Sequence, residues 1–211
     1  MYNRGMSTQI VVTIEDEINR AALMGQRLED LVLNKVKDAG FVIRTERDDL
    51  LLGYWSMIFD YGKGIVCLLH NELYSAAFAL LRPTIEAMVR SHVVKMGSEE
   101  DVLKIRQDKY KVKYEKVGFQ IDRAFGTSPL FDNYLKEAHH LHSFTHSGKA
   151  QLLSRFDGKS NGASFSDSQI EALVANFASA VFLVTILITR HYDFDEQRRE
   201  AERIWVEYGK L

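Results

Sequence analysis

The sequence predicts an all-α protein, a single bundle of about six to eight helices. Apolar residues recur at helical spacing along most of the chain, and no segment shows the period-2 alternation of a half-buried strand. Proline occurs only 2 times in 211 residues, too rarely for a turn-dense β fold. Hydrophobic residues make up 46% and charged residues 27%, an ordinary globular composition that suits one core at this length. Residues 1–8 read as a tail, and residues 9–211 as one helical domain.

Thr13, followed by Glu15, Asp16 and Glu17, reads as a capped helix start with acids on the positive end of the dipole. Ile14, Ile18, Ala21, Leu28, Val32 and Val36 then keep helical spacing toward Gly40. A second helix is expected from about Asp48 to Tyr61, with Gly62 and Gly64 loosening or interrupting it. Ile65 to Met96 is apolar on nearly all sides, as central helices are, and Pro83 predicts a kink or a fresh start near Leu81 and Arg82. Ser98 caps a helix predicted to reach about Arg123. Gly126 to Pro129 is a turn before the next helix, and Asp157 to Gly162 is a loop. Ser166 and Gln169 form a capping box for Ile170 to His191. A last amphipathic helix begins near Asp193. Ala172 to Thr189 reaches the lower limit of a membrane span, but its capped start and its scattered Asn176, Ser179 and Thr185 favour a buried core helix.

The net charge of −2 argues against non-specific coating of nucleic acid, although it leaves room for a local basic site. The single cysteine, Cys67, has no internal partner for a disulfide, which suggests a reducing, cytoplasmic setting. No motif calls for a cofactor or a metal, and no membrane contact is expected. Gly158-Lys159-Ser160 lacks both the upstream glycine and the preceding strand of a phosphate loop.

Three polar clusters stand out. Arg82, Glu86 and Arg90 lie at i, i+4, i+8 in an apolar helix, where Glu86 would bridge the arginines. They form either a packing network or an anion cleft built from guanidinium forks. Four of the 7 histidines fall between His139 and His146. His139, His142 and His146 share roughly 60° of one helix face. These histidines move a proton, bind a metal, or make ordinary hydrogen bonds at a helix end; His142 and His146 are the candidate catalytic pair. Arg106, Lys109, Lys113 and Lys116 form a basic stripe on one helix face, either a solvated surface or a guide for RNA.

Two segments, Leu81-Arg82-Pro83-Thr84-Ile85-Glu86-Ala87 and the stretch from Leu141 through Thr145-His146-Ser147-Gly148 to Arg155, resemble bacterial helical families related to the HEPN superfamily. The resemblance implies a compact, often dimeric bundle from a group that includes RNases of defence and toxin systems. It adds Arg155 to the candidate binding residues. The nuclease motif of that superfamily is an Arg, four to six intervening residues, then a His, and no arginine here precedes a histidine at that spacing. Lys136 has the right gap to His142 but the wrong side chain. The expectation is therefore a homodimeric binding module with a protein partner or RNA. The alternative is a metal-independent RNase in which His146 moves the proton and Arg82 or Arg90 holds phosphate.

Overall fold

Thr13 closes the first turn of α1 (Ile14–Asp38) by exchanging hydrogen bonds with Asp16, 2.7 Å between the side chains. The computed structural model describes residues 13–38, 45–111, 117, 118, 120, 123 and 165–210. Five further helices follow among them: α2 (Glu46–His70), α3 (Tyr74–Met96), α4 (Glu99–Arg106), α5 (Asp167–His191) and α6 (Asp195–Tyr208). The described residues contain no strand, so the protein is all-α.

Helix α5 is the axis of the bundle and packs against α1, α2, α3 and α6, while α2 and α3 form the most extensive pair. Its most apolar window has a mean hydropathy of 2.2, enough by length and composition to cross a membrane, and 72% of that window is buried inside the protein. Thr185 and Thr189 are buried in it without penalty, since their hydroxyls donate to Val181 and Thr185 carbonyls at 2.8 and 2.9 Å. Helix α1 lays Ile18, Ala21, Leu28 and Val32 on α5, as their spacing predicts. Trp205 of α6 stacks on Phe182 of α5, ring centroids 4.6 Å apart.

Several expected boundaries move. Helix α2 runs unbroken through Gly62 and Gly64 and starts earlier than expected, because Thr45 forms a capping box with Asp48. Helix α3 does not restart at Pro83. Proline removes one backbone donor, but Leu81, Thr84 and Ile85 are buried around it, so packing outweighs one missing bond. The largest correction concerns α4, which ends at Arg106 rather than near Arg123.

The reason is a helix stop made without glycine. At the end of α4, Asp108 N–H bonds to Ile105 O at 3.0 Å and Lys109 N–H to Lys104 O at 2.7 Å, the paired bonds of a Schellman motif. The residue that must turn left-handed is Asp108, with φ 54°. Helix α2 ends in the same way, with Glu72 at φ 58° and bonds from Glu72 to Leu69 and from Leu73 to Leu68. Asp193, at φ 56°, turns the chain after α5. A side chain in this region is strained by roughly 1–2 kcal/mol. Glu72→Gly is therefore expected to raise stability by about 0.5–1 kcal/mol after glycine's extra chain entropy is subtracted. A urea midpoint at or below the parent's would count against that reading.

Candidate functional site

Arg90 is the centre of the polar surface on α3. Its Nε and Nη2 donate to Glu86 Oε1 at 3.3 and 3.0 Å, and its Nη1 lies 3.9 Å from Asp108 Oδ1. Tyr54 of α2 completes the set by hydrogen-bonding the same guanidinium. Burial alone would lower the Arg90 pKa, but the Glu86 hydrogen bond and the facing Tyr54 reverse that and leave it raised. The Tyr54 phenol is pushed up by burial, with Arg90 opposing. Half of the expected Arg82–Glu86–Arg90 arrangement is thus in place as a Glu86–Arg90 pair. Arg82 is half-buried one turn back on the same helix.

The left-handed Asp108 folds the chain back on α4 and creates a cavity of about 330 Å³ between α3, α4 and the segment that follows. Lys104, Lys109 and Lys111 line it with Tyr110, over an apolar side made by Val93 and Val117. Asp101 also faces it, but that carboxylate is committed to the capping box with Ser98. Burial, Asp101 and the opposing Arg90 act on the Tyr110 phenol, with a net upward shift. Lys104 Nζ donates to Glu100 Oε1 at 2.6 Å and Lys109 Nζ to Gln107 Oε1 at 3.1 Å. Three lysines, two of them holding surface partners, and the Tyr110 hydroxyl thus surround a place where an anion can dock.

Of the predicted stripe, Arg106 and Lys109 do not share a helix, because α4 ends at Arg106. Arg106 instead pairs with Glu46 of α2 at 2.6 Å, and Lys109 belongs to the cavity. Lys113, Lys116, Arg155 and the whole His139–His146 cluster, with His142 and His146, lie outside the described residues, as does the expected cleft between that cluster and Arg82.

A second polar centre escaped the sequence reading. Asp48, 7% exposed, accepts from Thr45 N–H through Oδ2 at 2.8 Å and meets His191 Nε2 through Oδ1 at 2.7 Å. On the other edge of the ring, His191 Nδ1 lies 3.1 Å from Lys95 Nζ. An ionised Asp48 requires the Nε2–H tautomer, which leaves Nδ1 as acceptor for the ammonium. Burial lowers the Lys95 pKa, with Asp193 opposing, and Asp48 adds to the burial that drives the Tyr192 phenol up. Helix ends explain the placement: the carboxylate sits in the first turn of α2, while Lys95 and His191 sit in the last turns of α3 and α5. Arg47 strengthens the joint by donating to the carbonyls of Val94 and Gly97 and to Glu99 Oε1. Gly97 is needed there, since a Cβ would stand 2.5 Å from Val93 O. The cavity after α4 is not lined by Asp48, His191 or Lys95, and the centre acts as a clamp.

No group of three or more His, Cys, Asp or Glu side chains able to hold a metal occurs among the described residues. The chain matches no known protein family, no characterised protein and no solved structure.

Proposed function

We propose that the protein is a binding module whose ligand carries phosphate, with the lysine cavity after α4 as its docking point. The observation that carries this reading is the gathering of Lys104, Lys109 and Lys111 at one cavity, where Asp101, the one carboxylate among the described lining residues, is spent on a helix cap. In an acidic protein of net charge −2, such a local concentration of cations is a selective feature. The sequence resemblance supports a HEPN-like bundle that works as a cytoplasmic homodimer and engages RNA through its phosphates, as the binding partner in a bacterial defence or toxin–antitoxin pair.

The test is binding of a short single-stranded RNA at two salt concentrations. The double variant Lys109→Glu/Lys111→Glu is expected to weaken binding by at least about tenfold and to flatten the salt dependence. Both lysines are exposed, so the fold should be retained. Equal affinity of parent and variant sinks the reading. Cleavage of the RNA in the presence of chelator, lost in His146→Ala, would move the protein to the RNase alternative.

A further inference from the structure

A groove of about 230 Å³ lies between α1, α2 and α5, away from both polar centres. Its first wall is a stripe of α1, with Ala22, Gly25, Gln26 and Glu29 at i, i+3, i+4, i+7. The second is the matching stripe of α2, where Phe59, Gly62 and Lys63 keep the same spacing. Phe177 and Val181 of α5 form the floor.

Gly25 and Gly62 hold the groove open. A glycine inside a helix costs roughly 0.5–1 kcal/mol relative to alanine, so its presence needs a reason. Crowding is not that reason. A Cβ at Gly25 would meet nothing within 4 Å, and one at Gly62 would make ordinary contacts with Phe177 and Val181, 3.5 and 3.6 Å away. What the two glycines preserve is space over an aromatic floor.

Glu29 sets the chemistry of that space. Its side chain is 12% exposed, against 55% for its partner Lys63, whose Nζ donates to Oε1 at 2.7 Å. The other oxygen, Oε2, is shut from solvent and takes no hydrogen bond among the described residues. A buried carboxylate oxygen without a donor is an unfilled demand. Beside it, Gln26 spends its amide N–H on Asp30 and keeps its carbonyl as another acceptor. The groove therefore has Lys63 as its one charged donor, committed to Glu29 Oε1, and leaves Oε2 without one among the described residues.

We propose that this groove binds a small molecule with an apolar body and a protonated amine. The body lies against Phe59 and Phe177, and the ammonium reaches Glu29 as Lys63 swings outward. Lys63, 55% exposed, regains water as it leaves, and the incoming ammonium takes over its bond to Oε1.

The test uses phenethylamine as probe and hydrocinnamate, a carboxylate of similar body, as control, both titrated into the full chain by calorimetry. Saturable binding of the amine alone is expected. Glu29→Gln should weaken it by at least about tenfold. Gly25→Leu, which fills the space, should abolish it, with circular dichroism checking the fold. If Glu29→Gln does not fold, Lys63→Met serves instead and should tighten binding several-fold by removing the competing cation. Absence of saturable amine binding, equal binding of hydrocinnamate, or affinity unchanged in the variants overturns the proposal. So does a Gly25→Leu protein that turns from dimer to monomer, since a second copy would then be the occupant.

Discussion

His191→Ala is expected to destabilise the bundle by roughly 3 kcal/mol, because it strips a buried carboxylate and an ammonium of their shared partner. Asp48 keeps the Thr45 N–H and the positive end of α2, which holds the loss at the lower end for a broken buried pair. Lys95 loses its acceptor but reaches water more readily, being half-buried. Urea unfolding would measure the loss, and a double-mutant cycle with Asp48→Asn would show whether the two residues are coupled. A loss below about 1 kcal/mol, or additive effects in the cycle, would mean the three helix ends are held by packing alone.

Acidification from pH 6.5 to about 4 is expected to remove about 3 kcal/mol through a different histidine, His92. It is 4% exposed near the C-terminal end of α3, its Nε2 has no hydrogen-bond partner among the described residues, and burial drives its pKa from 6.5 to about 4. The unfolded chain takes up this proton near pH 6.5, whereas the folded chain takes it up only near 4. Within that window the unfolded state holds more protons, so stability falls as the pH falls, and above it the residue contributes no slope. His92→Leu should flatten the profile across the window and raise stability at neutral pH by removing an unpaired buried nitrogen. Parallel pH profiles for parent and variant would sink this account.

How legible these features were in the sequence depended on which interactions create them. Helix interiors and polar caps are local, so the Ser98 and Ser166 starts, the apolar stripe of α1 and the burial of Ala172 to Thr189 follow from spacing alone. Helix stops were legible at Gly97 and at the end of α5, but not at the ends of α2 and α4. At Glu72 and Asp108 an acidic residue adopts the left-handed turn, and nothing in its identity announces that. Missing the Asp108 stop extended α4 past Arg106 and hid the cavity that follows it. The Asp48–His191–Lys95 clamp was hidden for another reason. Its members lie 143 and 96 positions apart, and only the meeting of three helix ends brings them together. The Glu86–Arg90 pair is an i, i+4 contact and needed no such meeting.

Helix α1 is sealed by the far end of the chain. It packs on α5 and α6, Arg27 reaches Glu207 at 2.6 Å, and the Tyr208 hydroxyl lies 3.5 Å from Glu17. On the ribosome this arrangement becomes a delay. Helix α1 emerges with Ile18, Leu28 and Val32 exposed, and α5 and α6, its most extensive partners among the described helices, begin only at Asp167. At roughly 5–20 residues per second, that interval is on the order of ten seconds. During it the nascent chain carries a partly covered apolar stripe, a natural substrate for a holdase chaperone, and the arrival of α5 and α6 closes the bundle over it.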